Sequence, residues 1–217
     1  MRQKFPIISF IGWHNSGKTT LIRAIASELK SRGLKVGVLK SSHHTGLISH
    51  KPGSDTDLYS KDGIPHIGLV TPEGYMLYIA EHVKEPLWLA FNFFPDVDII
   101  ICEGFKNSIY IPKIEIVLPD KELLIDKVSN VVALIGEVKE NRGVPVFDKK
   151  DIIGITDFIV SYLFPHKDKE TLYLFVNGKF IPLKKYVRES FKGVIEGFIN
   201  ALKGTKGAKV IDIKIKK

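Results

Sequence analysis

The sequence predicts an α/β protein: a mostly parallel sheet with helices on both faces, followed by a small basic α+β appendage. Short, nearly all-apolar runs recur at 5–11 (FPIISFI), 97–102 (VDIIIC) and 131–135 (VVALI). Strands that are apolar throughout, rather than alternating, are those buried on both faces. Helical stretches separate them, the order that crossover-connected parallel strands require. After 165–169 (PHKDK) the pattern changes to a hairpin, a helix and a lysine-rich strand. The chain of 217 residues therefore reads as two domains, 1–165 and 170–217.

The first strand runs into Gly12, and the following helix shows its apolar face in Leu21, Ile22, Ile25, Ala26 and Leu29 before Gly33 stops it. A second strand fits 35–39 (KVGVL). Beyond it lies a polar loop at 41–55 rich in His, Gly and Ser, the kind of segment in which function tends to sit. A short helix fits 56–61. The runs 66–70 and 75–79 flank Thr71-Pro72-Glu73-Gly74, a hairpin signal. A helix is expected at 86–94, strands at 97–102, 113–118 and 131–135, and a helix at 152–163 capped by Asp151. In the appendage, 172–176 and 180–183 flank Asn177-Gly178, the strongest short-range hairpin signal. A helix near 184–203 and a strand at 209–215 complete a ββαβ unit, with Phe180, Val187, Phe191, Ile195 and Phe198 as its expected core. So short a unit buries little surface, so it is expected to dock on the main domain or on a second subunit.

At 44% hydrophobic and 26% charged, the composition excludes disordered and fibrous classes. No apolar run approaches the roughly 18 residues of a membrane span. The opening run at 7–11 is too short for a signal-peptide core. A cytoplasmic protein with no membrane partner is expected. Cys102 is the sole cysteine, which excludes an intrachain disulfide or a cysteine-based zinc cluster; mid-strand, it reads as a small core residue. The net charge of +8 is uneven, with ten basic against three acidic residues in 184–217. Such an end suits an anionic partner, or is simply a solvated helix face. The aromatics interleaved there, Tyr186, Phe191 and Phe198, have helical spacing, which favours packing over base stacking, so nucleic acid is not the expected partner.

Gly12-Trp13-His14-Asn15-Ser16-Gly17-Lys18-Thr19-Thr20 satisfies the full phosphate-binding loop (P-loop) pattern between an apolar strand and an amphipathic helix. The glycines let successive N–H groups point inward at phosphate oxygens, and the helix adds its positive N-terminal end. The nucleotide-binding candidates are Gly12, His14, Asn15, Ser16, Gly17, Lys18, Thr19 and Thr20. Lys18 can reach the β and γ phosphates, and the Thr19 hydroxyl can ligate Mg2+. Glu103-Gly104 ends an apolar strand, where ligands bind in open α/β sheets. Glu103 can hold Mg2+ directly or through water, and Gly104 lets the chain bend close to the γ phosphate. The alternative is a carboxylate that merely ends a strand. Asp55 can supply a carboxylate to Mg2+ or to the attacking water. The expected catalytic set is Lys18, Asp55 and Glu103; the expected metal set is Thr19, Asp55 and Glu103. Asp98, at the start of its strand, sits at the opposite edge and reads as structural. His43 and His44 invite a transition-metal reading, but adjacent residues on an extended chain point apart and two histidines make a weak site. Phosphate or partner contacts suit Lys40-Ser41-Ser42-His43-His44 better.

Together these residues resemble the MobB family of molybdopterin-guanine dinucleotide biosynthesis, which are P-loop GTP-binding proteins. The stretches that carry the resemblance are 12–21, 40–44, Lys51-Pro52-Gly53-Ser54-Asp55, Glu103-Gly104-Phe105-Lys106 and Pro112-Lys113-Ile114-Glu115, over roughly 7–163. The P-loop alone is widely shared; Glu-Gly-Phe-Lys followed closely by Pro-Lys-Ile-Glu is far narrower. The resemblance implies GTP binding with weak Mg2+-dependent hydrolysis, homodimerisation, and association with the nucleotidyltransferase that joins GMP to molybdopterin. The pterin itself is a further implied ligand. Where many members carry a Ser/Thr-Asp pair that can accept from the guanine edge, this chain has Gly136-Glu137, and Glu137 keeps the carboxylate on a longer arm. The appendage lies beyond the common core.

The leading expectation is a GTP-binding accessory protein of molybdenum cofactor maturation. Hydrolysis should be slow, because no arginine finger lies near the motifs and Gln3 is the sole glutamine. An ATP-using small-molecule kinase or ligase would carry an Arg-rich lid, whereas Arg2, Arg23, Arg32 and Arg142 form no cluster. A nucleic-acid binder acting through the basic C-terminus is the third reading.

Overall fold

The computed structural model describes residues 6–42, 51–80, 85–94, 96–164 and 172–205, with 207, 208, 211, 213 and 215. They fall into two compact units, one spanning Pro6–Pro165 and one that includes the C-terminal stretch beyond it. The first is built on a six-stranded sheet in the order β2-β5-β1-β6-β7-β8, whose pairings are all parallel. In chain order these strands are β1 (Ile7–Gly12), β2 (Val36–Lys40), β5 (Ile99–Glu103), β6 (Lys113–Ile116), β7 (Val131–Ile135) and β8 (Val146–Phe147). A separate antiparallel hairpin joins β3 (His66–Thr71) to β4 (Gly74–Ile79).

The all-apolar strands are central for the reason their sequences suggest: both faces are covered. On one face Ile8, Phe10, Ile99, Ile101, Ile114, Ile116, Ala133 and Ile135 pack against α1 (Lys18–Ser31) and α4 (Ile152–Leu163). The stripe on α1 is Leu21, Ile22, Ile25 and Leu29. The opposite face carries Ile100, over which Phe94, at the end of α3 (Pro86–Phe93), is laid. Phe94 approaches so closely that a Cβ at Gly37 would lie 2.9 Å from its ring, so β2 has glycine there. Asp151 caps α4 by accepting from Gly154 N at 2.9 Å, and Asp98 accepts from Lys35 N at 2.7 Å, a structural tie at the strand's N-terminal edge. Cys102 is buried, and burial pushes its thiol well above the ordinary range.

β5 and β6 are consecutive strands of this sheet in the chain, yet they flank β1. The chain leaves β1 toward β2 on one side and leaves β5 toward β6 on the other, and the crevice so opened at the carboxyl ends of β1 and β5 is where ligands bind in open α/β sheets. α2 (Asp55–Lys61) begins one residue earlier than its apolar pattern suggests, because the Ser54 hydroxyl accepts from Asp57 N at 3.3 Å.

In the second unit β9 (Leu174–Val176) and β10 (Lys179–Ile181) form a hairpin. Asn177 and Gly178 turn it with φ of 51° and 75°, the positive values a tight primed turn needs. Phe180 is buried, with the rings of Phe175 and Tyr173 at 5.6 and 6.5 Å. α5 (Lys185–Asn200) follows. One expectation for this unit is corrected. Phe191 and Phe198 are exposed rather than core, and Val187 and Ile195 are half-buried, since a three-residue hairpin offers a helix little to pack on. The strand expected at 209–215 falls mostly outside the described residues.

Candidate functional site

The P-loop leaves β1 through Gly12. A Cβ there would lie 2.7 Å from Ile116 O and 2.8 Å from Ser16 Oγ, with φ at +154°, so only glycine fits. At the other end Gly17 is the N-cap of α1 in the left-handed conformation, no side chain caps the helix, and no acidic residue stands in its first turn. The leading N–H groups of α1 are thereby left to an anion.

Lys18 folds back over the loop, its Nζ donating to Trp13 O at 2.6 Å, Gly12 O at 3.1 Å and Ser16 Oγ at 3.3 Å. Burial lowers its pKa, the Glu103 carboxylate opposes that, and Lys40 adds to the lowering. Thr19 Oγ1 lies 3.0 and 3.1 Å from the two Glu103 carboxylate oxygens. Lys40 Nζ lies 3.1 Å from Glu103 Oε1. Gly104, at φ +96°, brings the chain against Ser41, 3.2 Å from where a Cβ would stand. Behind it Ser9 Oγ, buried in β1, donates to Gly104 O.

These groups line one cleft of about 970 Å3. It takes in Gly12 to Thr20 of the loop, with His14, Asn15 and Ser16, and Glu103 and Gly104 from β5. It also takes in Lys40 to Ser42, Glu85 and Pro86, Phe105 to Ser108, and Leu124. Two predicted residues lie elsewhere. Asp55 is exposed at the start of α2, and Glu137 is exposed just after β7; neither lines the cleft. His43 and His44 fall outside the described residues, among which no cluster of three His, Cys, Asp or Glu is arranged to hold a metal.

The outer wall rests on two buried charges that the sequence marked only as part of a motif. Lys113 and Glu115 are 0% and 1% exposed. Lys113 Nζ donates to the carbonyls of Ser108, Ile111 (3.1 Å) and Ser129 (2.8 Å), and Ser108 Oγ donates to Glu85 Oε2 at 2.9 Å. Glu115 accepts from Leu124 N at 2.6 Å and Ile125 N at 2.8 Å. Trp13 Nε1, from the P-loop, donates to Glu122 O at 2.9 Å. One strand thus anchors both segments that face the loop. The legible signal was a lysine and a glutamate inside an otherwise apolar strand, a pattern tolerated only when both charges are satisfied.

A parallel sheet with a glycine-lined phosphate loop, a lysine at the helix start folded back over that loop and a Thr–Glu pair at the switch point defines a P-loop-type α/β protein. Within that class the chain belongs to the MobB family: residues 7–137 match the model of molybdopterin guanine dinucleotide synthesis protein B. It is 30% identical over 167 residues to the molybdopterin-guanine dinucleotide biosynthesis adapter protein of Escherichia coli, covering 73% of this chain and 93% of that one. It is 32% identical over 165 residues to the probable adapter protein of Bacillus subtilis, covering 73% and 94%. The solved structure of Bacillus subtilis MobB aligns with a TM-score of 0.58 and 29% identity, over 75% of this chain and all of that one. No helix among the described residues is long and apolar enough to cross a membrane.

Proposed function

We propose that the protein is a GTP-binding adapter of molybdopterin guanine dinucleotide biosynthesis, acting in the cytoplasm with slow Mg2+-dependent hydrolysis. The observation that carries this is the junction of Lys18, Thr19 and Glu103 at the mouth of the P-loop. The loop's N–H groups and the start of α1 cradle the phosphates. Lys18 exchanges the carbonyls of Gly12 and Trp13 for phosphate oxygens, keeping its charge partnered in both states. A hydroxyl and a carboxylate within 3.1 Å of each other are the hard oxygen donors that Mg2+ prefers. Thr19 and Glu103 would hold the ion, which when bound neutralises charge across the β and γ phosphates. Asp55 and Glu137, exposed and outside the cleft, take no part in this reading, which rests the metal on Thr19 and Glu103 alone.

Hydrolysis is slow because no arginine lines the cleft among the described residues. An arginine finger accelerates such reactions by roughly 10³ to 10⁵ where one exists. Turnover of the protein alone should therefore fall below ~10⁻² per second, and a value near ~10 per second would contradict the reading. A homodimer suits the β3–β4 hairpin, whose Val70 and Tyr75 are 82% and 77% exposed. The partner is the nucleotidyltransferase that joins GMP to molybdopterin, with the pterin as a further ligand. The test is a titration of GTP, ATP and a short single-stranded oligonucleotide at physiological salt. GTP should bind tightest in the presence of Mg2+; a preference for ATP would favour a kinase or ligase, and for the oligonucleotide a nucleic-acid binder.

A further inference from the structure

The Glu103 carboxylate is shared by Thr19 and Lys40, and Lys40 has no place in the scheme above. Lys40 is the last residue of β2 and the cross-strand partner of Glu103 in the β2–β5 ladder. The next residue ties the two ends together, Ser41 N donating to Glu103 O at 2.9 Å. The Lys40 ammonium is thus delivered to the cleft by the backbone, reaching Glu103 Oε1 at 3.1 Å while its side chain stays 58% exposed and that of Glu103 is 13% exposed. It is free to swing; the carboxylate is not.

On the reading of the cleft as a triphosphate site, a physical conflict follows. A carboxylate held at the γ-phosphate end repels that phosphate until a cation stands between them. We propose that Lys40 is that cation before Mg2+ arrives: it neutralises Glu103 in the free protein, yields the carboxylate to the metal, and turns its ammonium to the γ-phosphate oxygens. Lys40 thereby becomes a γ-phosphate contact that separates a nucleoside triphosphate from a diphosphate. Both lysines sit in one electrostatic neighbourhood: beyond the lowering that burial imposes on Lys18, Glu103 raises its pKa and Lys40 lowers it.

The test measures GTP and GDP dissociation constants with Mg2+ and with EDTA for the full chain, Lys40→Met, and Lys40→Met/Glu103→Gln. Lys40 is exposed enough that its loss should leave the thermal midpoint unchanged. In EDTA, Lys40→Met should weaken GTP at least ~10-fold, because the bare carboxylate then faces the γ-phosphate. GDP, which lacks that phosphate, should change little; saturating Mg2+ should remove the part of the GTP loss due to the bare carboxylate and leave a smaller, GTP-specific loss from the missing γ-phosphate contact, and full recovery would overturn that contact. The double variant, with both charges gone, should restore GTP binding in EDTA to near the level of the full chain. Equal weakening of GTP and GDP, or failure of Glu103→Gln to rescue, would overturn the role of Lys40. Absence of GTP binding by the unaltered chain would instead overturn the triphosphate reading, and the role of Lys40 with it.

Discussion

Among the residues, Lys113 and Glu103 make the sharpest demands. Lys113 gives three backbone carbonyls their donor from a position with no access to water. Lys113→Met keeps the volume but orphans them, so denaturant unfolding should show a loss of about 2–4 kcal/mol. Burial pulls the Lys113 pKa from 10.5 to about 8, against the Glu85 carboxylate. Below pH 8 the folded and unfolded chains both carry the proton. Between about 8 and 10.5 the unfolded chain binds a proton that the folded one does not, so the contribution of this group to stability rises with pH across that window. The stability gap between the wild type and Lys113→Met should widen in the same interval, and a flat gap would refute the assignment. Glu103→Gln should cut hydrolysis per bound nucleotide far more than it cuts binding, because the phosphates keep their backbone cradle. Single-turnover measurements on nucleotide-loaded protein separate the two. The P-loop, Glu103 and the structural part of Asp98 were legible in the sequence because each sits at a fixed offset from an apolar run. For Lys113 and Glu115 only the two charges within a short strand were legible; what they anchor was not, since their partners are backbone groups of other segments.

Among the elements, α1 joins two tasks that substitutions can part. Its packing stripe is Leu21, Ile22, Ile25 and Leu29, while its first residue, Lys18, bonds only to the P-loop. Lys18→Ala should therefore abolish triphosphate binding in a titration while the far-UV spectrum and cooperative melting persist. Unchanged affinity in a folded variant would remove the phosphate loop from the reading. The long periodic signal of α4 placed it from sequence at its observed bounds, whereas α1 begins at Lys18, three residues before its apolar face at Leu21, because the P-loop feeds directly into it. β8 could not, because two residues carry no periodicity; it forms by adding to an edge that β7 already presents. The strand expected at 209–215 lies mostly outside the described residues.

For the whole molecule, the division of the chain into two units separates the proposed nucleotide site from the concentration of positive charge. Lys18, Lys40, Thr19 and Glu103 all belong to the unit Pro6–Pro165, which holds its own core between sheet and helices. The Bacillus subtilis MobB structure, aligned along its full length with 75% of this chain, is a fold of that extent without a counterpart to the remainder. Deleting 170–217 should therefore leave GTP affinity within about 2- to 3-fold of the full chain, the error expected of distant independent sites. The deleted segment carries the ten basic residues that stand against three acidic ones in 184–217. Its helix α5 keeps Phe191, Val194 and Phe198 exposed at 51%, 74% and 67%, an apolar stripe flanked by cations that suits an acidic protein surface. Binding to the nucleotidyltransferase, measured by calorimetry, should weaken on truncation. For the full chain it should fade as salt is raised from 50 to 500 mM, since exposed charges are screened beyond about 10 Å at 0.1 M and closer still above it. A truncated chain that loses GTP but keeps the transferase would reverse the division of labour between the two units.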